Sequence, residues 1–225
     1  MPRYNNVIIF GATGDVGSAA ALQAHQQGAT VFITLTDIRE VGPSDIVPWE
    51  HAQVEIALEE IYGSSGYLAV RPAFYASNLL HEKQAILRGQ VRLPSPDATF
   101  DFISSEDIGH VAGTILVNGA QERIVRLLGP GRMTLREAVR TVGHALGKEV
   151  QVTTITRGEA AAQMEAAGMP PAMIQWHLHN VIDRAGWYLE SPEALMAREN
   201  IQRYAQHPPQ RLQQWVESNL ARFLE

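Results

Sequence analysis

The chain has 225 residues, 24 acidic and 18 basic side chains for a formal net charge of -6, 45% hydrophobic residues and no cysteine. Those counts fit a globular chain of one or two domains and exclude disulfide scaffolds, thiolate metal sites and cysteine nucleophiles. An acidic balance of mixed signs gives no broad attraction for phosphate backbones, so nucleic acid is not expected as a ligand. Apolar runs such as Val7-Ile8-Ile9-Phe10 fall far short of the roughly 20 residues that cross a bilayer, so no membrane span is expected. The N-terminus enters a strand-like run at once, without a charged and then apolar leader, which makes the cytoplasm the expected location.

Asn6 to Phe10 is uniformly apolar, the pattern of a strand buried on both faces, and a glycine-rich turn follows it. The alanine-rich stretch Ser18 to Gln27 reads as a helix, Gly28 sits where a helix closes, and Ala29 to Leu35 forms a second strand rich in β-branched residues. Together they make a β-α-β unit. Turn-like chain as far as Pro48 leads into helical spacing from Trp49 to Tyr62, with Val54, Leu58 and Ile61 on one face. Tyr67 to Arg71 is a third strand, stopped by Pro72.

The pattern then gives a helix near Asn78 to Arg88, a short extended piece at Val91–Leu93 and a β-like Thr99 to Ile103. Ser105-Glu106-Asp107 caps a helix running through Leu116. Arg123 to Leu128 is a strand, Thr134 to Leu146 a helix ended by Gly147, and Glu149 to Ile155 a strand. Beyond Arg157 the period is helical, broken at Pro170-Pro171, Pro192 and Pro208-Pro209. Strands alternating with helices predict an α/β fold with a mainly parallel sheet and a helix-rich C-terminal part.

Gly11-Ala12-Thr13-Gly14-Asp15-Val16-Gly17 lies between the first strand and the first helix, the context a dinucleotide fingerprint requires. Glycines permit the tight turn and let the backbone approach a pyrophosphate, and the free N–H groups at the helix start favour its charge. Asp37 ends the second strand at the distance where a carboxylate accepts hydrogen bonds from a ribose diol. Its charge favours NAD over NADP, while Arg39 close by can still pair with a 2′-phosphate. A dinucleotide, NAD or NADP, is therefore the expected cofactor.

The spacing G-A-T-G-D-V-G resembles that of the NmrA-like, or isoflavone-reductase-like, branch of the atypical short-chain dehydrogenase superfamily. Tyr67-Leu-Ala-Val-Arg71-Pro72-Ala-Phe74-Tyr75-Ala-Ser-Asn78 is similar to the family's R-P-x-x-F strand and loop. The resemblance implies that Pro72 and Phe74 border the nicotinamide and substrate cleft. Asp101-Phe102-Ile103-Ser-Ser-Glu106-Asp107-Ile108-Gly109 resembles the turn that starts a helix beneath the substrate pocket, and Leu128-Gly129-Pro130-Gly131 with Thr134 to Ala138 and Leu146-Gly147-Lys148 resembles the late strand and helix of the substrate-binding part. The implied organisation is a Rossmann-like NAD(P)-binding domain over residues 1–128, with 72–100 contributing to the substrate part, and a substrate-binding part over 129–225.

One stretch departs from the family. Several strand-helix units should separate the second strand from the helix at Trp49, yet only Ile38 to Pro48 intervene. At about 30 residues per unit, the deficit is roughly 60–90 residues, so the Rossmann sheet is abbreviated. The central strand is left short of a neighbour unless Ala29–Leu35 or Tyr67–Arg71 takes that place, or the chain is the incomplete product of a longer gene. Direct pairing of the first and third strands is the favoured arrangement. A bare sheet edge would also offer a route to homo-oligomers.

Short-chain dehydrogenases use a Tyr and a Lys four residues later, and no such pair occurs in this chain. The matching region is Trp49 to Glu55, where the resemblance to the family's altered sites makes His51 the proton donor, with Glu55 one helical turn on to orient the imidazole. An exposed ion pair on a helix is the plain alternative. Ser104 and Ser105 read as helix caps rather than nucleophiles, His177 and His179, two apart on a helix, point in different directions with no third ligand following, and Phe74, Tyr75 and Trp176 serve equally as core or pocket lining. Function at this level is hydride transfer to a small carbonyl, quinone or enone, or else nucleotide-dependent regulation without turnover, or an inactive truncated relative.

Overall fold

A computed structural model describes residues 15–27, 55–61, 63 and 68–225. The expected strands Asn6–Phe10 and Ala29–Leu35, and with them the favoured pairing of the first and third strands, lie outside the described residues. Helix α1 (Asp15–Gln26) begins directly behind the glycine-rich segment, and α2 (residues 55–61) falls inside the expected Trp49–Tyr62 helix.

Strand β1 (Ala69–Pro72) is buried along its whole length. After it come a 3-10 turn (Ala76–Glu82), α3 (Lys83–Leu87), β2 (Gln90–Leu93) and β3 (Thr99–Phe100). The sequence period predicts one helix over most of 78–88; instead its first half is wound tighter. Helix α4 (Ser105–Asn118) then leads into β4 (Ile124–Leu127) and β5 (Met133–Thr134). Strands β1 and β4 pair in parallel, with Ala69 opposite Ile124 and Pro72 opposite Leu127. Pro72, read as the stop after the third strand, is its last residue, where a missing N–H does least damage to the ladder.

The C-terminal part adds α5 (Leu135–Ala145), β6 (Gln151–Thr154), α6 (Arg157–Ala166) and α7 (Pro171–His177), then α8 (Pro192–Ala205), α9 (Leu212–Ser218) and α10 (Leu220–Leu224). Strand β6 pairs in parallel with β2, and β5 pairs antiparallel with β3. Thr134 and Thr156 open α5 and α6 with capping boxes closed by Glu137 and Glu159, each satisfying two backbone N–H groups that the helix leaves free. Two main cores result. Val70, Val125 and Leu127 of the β1–β4 pair pack with Ile108, Val111 and Ile115 of α4 and with Ile201 of α8. Phe100, Phe102, Val91 and Val139 pack with Trp215 and Phe223 in the other.

Helices α1 and α4 meet through small residues. A Cβ built at Gly109 would stand 2.3 Å from the Ala19 Cβ and 2.8 Å from the Ala20 backbone N, and one at Gly113 would stand 2.5 Å from the Gln23 Cβ. Ala20, Ala24 and Ala112 close the seam. The amide groups of Gln23 and Gln27 donate across it to Thr114 Oγ1 at 3.4 and 3.0 Å.

At the start of α4, Ser104 Oγ accepts from the Asp107 backbone N at 3.0 Å, so the cap lies one residue before the expected Ser105. Asp107 Oδ2 accepts in turn from the Gln210 backbone N at 2.8 Å, which ties α4 to the chain after α8. On the same side His110 Nδ1 lies 2.9 Å from His207 Nε2, and His207 Nδ1 lies 2.9 Å from the Pro208 carbonyl. The carbonyl can only accept, so His207 donates from Nδ1, and its Nε2 is left to accept from His110 Nδ1.

Two outcomes follow from these contacts. Gly109→Ala should lower stability by about 1–3 kcal/mol through overpacking, outweighing a helix-propensity gain of at most about 1 kcal/mol; Gly158→Ala in α6, where nothing lies within 4 Å of the added Cβ, should leave stability unchanged or raised. Urea denaturation of both variants checks the pair. Burial, and then His207, depress the His110 pKa below its ordinary value. The unfolded chain therefore takes up more protons, and stability should fall as pH drops below about 6.5. Burial raises the Asp107 pKa, which opposes that fall at lower pH. His110→Gln should flatten the stability profile between about pH 7 and 5, an outcome read by melting temperature against pH.

Candidate functional site

In open parallel α/β sheets, ligands bind in the crevice outside the carboxyl ends of the strands. Here β1 and β4 end side by side, and the Ala73 N–H donates to the Leu127 carbonyl at 3.0 Å, so the loops that follow them start together. Phe74 is half-buried in the first loop, its ring stacked on Phe100 at 4.1 Å and edge-on to Phe102 at 5.5 Å. Tyr75 is bridged in parallel fashion to Ile103, and burial pushes its phenol up to about 12.

Asp101 organises this corner. It is 3% exposed, and its carboxylate accepts from Gly129 N at 2.7 Å, from Phe74 N at 3.3 Å and from the Tyr188 hydroxyl in a short hydrogen bond. Burial pushes the Asp101 pKa up, while the bonds from Tyr188, Gly129 and Phe74 pull it back. Burial and the adjacent Asp101 charge raise the Tyr188 pKa beyond the usual phenol range, so this hydroxyl is a fixed donor at neutral pH. The turn is paid for in backbone strain: Phe102 has φ 47, unusual for a bulky side chain. The expected strand over Thr99–Ile103 consequently ends at Phe100. Gly129 is needed at its place, since a Cβ there would stand 2.1 Å from the Asp101 carbonyl oxygen.

The expected site residues divide into three groups. Gly11, Ala12, Thr13, Gly14, Asp37, Arg39 and His51 lie outside the described residues. Asp15, Val16 and Gly17 form the first turn of α1, whose N–H groups have no partner within the helix. Val16 is half-buried against the β1–β4 core, and Asp15 faces outward with its carboxylate 2.7 Å from Arg222 Nη1. That pairing moderates a negative charge which would otherwise oppose an anion at the helix start. Pro72 and Phe74 stand at and just beyond the end of β1.

Glu55 completes the set. It is fully buried on α2, and both carboxylate oxygens accept from Arg71 of β1, from Nε at 3.2 Å and from Nη2 at 2.7 Å. Burial, with Arg126 and Arg123 nearby, lowers the Arg71 pKa to about 9, yet the guanidinium stays charged at neutral pH. The sequence places Glu55 one helical turn from His51, to orient its ring or to form an exposed ion pair, and gives Arg71 only a motif position; neither period nor spacing signals that Glu55 and Arg71 meet. Asp101 stands in a motif quoted from the sequence, but Tyr188, 87 residues away, has no local signal at all.

No family model matches the chain. A nitrogen metabolite regulation-like protein of Gibberella fujikuroi is 24% identical over 327 aligned positions, covering 100% of this chain and 99% of that protein. With only 225 residues here against those positions, and both chains matched end to end, the chain is shortened internally relative to that protein. An NAD(P)H azoreductase of Xenophilus azovorans is 29% identical over 106 residues, which are 46% of this chain and 37% of that protein. An NADPH-dependent quinone oxidoreductase from Escherichia coli superposes with a TM-score of 0.70 at 16% identity, covering 96% of this chain and 99% of that one. A triphenylmethane reductase of Citrobacter sp. gives a TM-score of 0.62 at 14% identity over 98% of this chain and 77% of that one. The fold is thus α/β and Rossmann-like, and the similarity to a nitrogen metabolite regulation-like (NmrA-like) protein extends along the whole chain.

Removing one partner of the buried pair should be costly. Arg71→Met is expected to destabilise by about 3–5 kcal/mol, and Glu55→Leu combined with Arg71→Met to recover much of that loss. Tyr188→Phe should cost about 1.5–3 kcal/mol, because a bond to a buried carboxylate is lost. Guanidinium denaturation measures all three; a Tyr188→Phe variant as stable as the parent would remove Asp101 from its organising role.

Proposed function

We propose, taking full-length similarity to an NmrA-like protein and a reductase fold as the premise, that this chain is an NAD(P)-binding oxidoreductase-like protein. The observation that carries the proposal is that α1 starts at Asp15, directly behind Gly11-Ala12-Thr13-Gly14, in a fold shared with an NADPH-dependent quinone oxidoreductase. The described residues fit the cofactor. The first turn of α1 offers backbone N–H groups to a pyrophosphate, and Arg222 offsets the one acidic side chain there. Gly11 to Gly17 would hold the pyrophosphate, Asp37 and Arg39 the adenosine ribose, and Pro72 and Phe74 would border the nicotinamide. When bound, the nicotinamide supplies a hydride.

The chain's own part is to position an acceptor, a small carbonyl, quinone or enone, and to deliver a proton to its oxygen. His51 is the proposed donor, with Glu55 one turn on. Glu55 is held by Arg71 on both oxygens, so its service to His51 would be to fix the ring through a carboxylate already locked in place. The phenols of Tyr75 and Tyr188 are poor candidates for the same task, since burial is the leading cause that raises both. We place the protein in the cytoplasm, where reduced dinucleotide is available, and a sheet edge left open by internal shortening would support a homo-oligomer.

A regulatory reading has its own support. The full-length relative is named for nitrogen metabolite regulation, and the Tyr/Lys pair of short-chain dehydrogenases is absent. In that reading the cofactor is bound and its redox state sensed without turnover. Calorimetric titration with NAD, NADH, NADP and NADPH, followed by absorbance decay of the reduced form with a quinone panel, separates the two. Turnover abolished by His51→Ala is the expected outcome for the enzyme. Binding without turnover supports the regulator, and no binding at millimolar dinucleotide overturns both.

A further inference from the structure

An open cleft of about 390 Å³ is lined by Gly131, Arg132, Leu189, Glu190, Ser191 and Arg198. Its position follows from the fold. Gly131 and Arg132 belong to the loop that leaves the carboxyl end of β4, and beneath the cleft Leu128, Leu189, Ala194 and Ala197 pack with Ala73, the first residue after β1. The cleft therefore opens beyond the paired ends of β1 and β4, on the side where parallel sheets bind ligands. Its wall is anchored to the buried hub, because Tyr188, the neighbour of Leu189, donates to Asp101.

The charges are arranged for an anion. Arg132 is fixed by two bonds, from Nη1 to Glu190 Oε1 at 2.6 Å and from Nη2 to the Leu189 carbonyl at 2.8 Å. A guanidinium has five N–H groups, so others on Arg132 remain to serve a ligand. Arg198 makes no ion pair with any described residue, and it enters the same cleft from α8. Glu190 is 72% exposed on its side chain, so water screens its charge more than the cleft does. Two guanidinium groups against one solvated carboxylate leave the cleft net positive, with Leu189 as its apolar side.

We infer that this cleft takes the oxyanion group, a carboxylate or sulfonate, of a small aromatic or quinonoid acceptor, with Arg198 as its principal partner and Arg132 as the second. The apolar side accepts the ring, and the acceptor's reducible part points toward the loops after β1 and β4. The inference rests on the oxidoreductase proposal for the ligand's role but not for its binding. A guanidinium can meet two oxygens of such a group at once.

Calorimetric titration of the full chain with 1,4-naphthoquinone-2-sulfonate and with unsubstituted 1,4-naphthoquinone tests this directly. The sulfonate should bind about tenfold more tightly, the gain of one charge-assisted hydrogen bond. Arg198→Gln should abolish that preference without weakening the unsubstituted quinone, and Glu190→Gln should enlarge it. Equal affinity for the two quinones in the parent chain, or a preference that survives Arg198→Gln, overturns the inference. NADPH titrated into Arg198→Gln should bind as it does to the parent; a loss there would mean that the cleft serves a cofactor phosphate instead, and would overturn it equally. If no dinucleotide binds the parent but the sulfonate preference is present and Arg198-dependent, the cleft stands while the oxidoreductase proposal falls.

Discussion

A single buried carboxylate sets the geometry of the region beyond the strand ends. Asp101 binds the backbone after β1 through Phe74, the backbone after β4 through Gly129, and the C-terminal turn through Tyr188. A carboxylate taken out of water is expensive unless each oxygen is bonded, and its three donors come from three separate parts of the chain. The arrangement is therefore satisfied only when all of them converge. Phe102 at φ 47 and the close approach of Gly129 are the local concessions to that convergence.

Around this hub the structure relies on close approach more than on large side chains. Helix α1 touches α4 through glycine and alanine, which fixes α1, and the first-turn N–H groups it presents, against α4. The Glu55–Arg71 pair does similar work for α2, pinning it to the buried strand β1. A buried ion pair adds little net stability over apolar packing, so its contribution here is to fix which face of α2 meets the strand.

The division of charge between core and cleft is informative about chemistry. The ionisable groups inside the corner, Asp101 and Tyr188, are bonded to each other, and burial raises the pKa of both. Outside it, Arg132 and Arg198 line the cleft together with one exposed carboxylate, Glu190. A chain with an overall negative charge thus carries a locally positive cleft at the end of its parallel strands. Net charge alone hides this, because it averages over surfaces that a small ligand never meets.

Local features were legible in the sequence. The strand at Ile124–Leu127, the turn at Gly147 and the helix breaks at Pro170-Pro171 and Pro192 follow from side-chain chemistry acting within a few residues. The α/β class followed from their alternation. What the sequence left open was every contact between residues far apart. Periodicity places Glu55 on a helix and Arg71 on a strand but carries no term for the encounter of the two, and it gives Tyr188 no reason to meet Asp101. The early end of β3 has the same origin, since a local run of β-formers yields to a long-range carboxylate network. The sequence by itself determined most of the helices among the described residues and where a dinucleotide would be sought; the tertiary structure decided which charges are locked in the core and which face the cleft, because burial and pairing depend on distances through space.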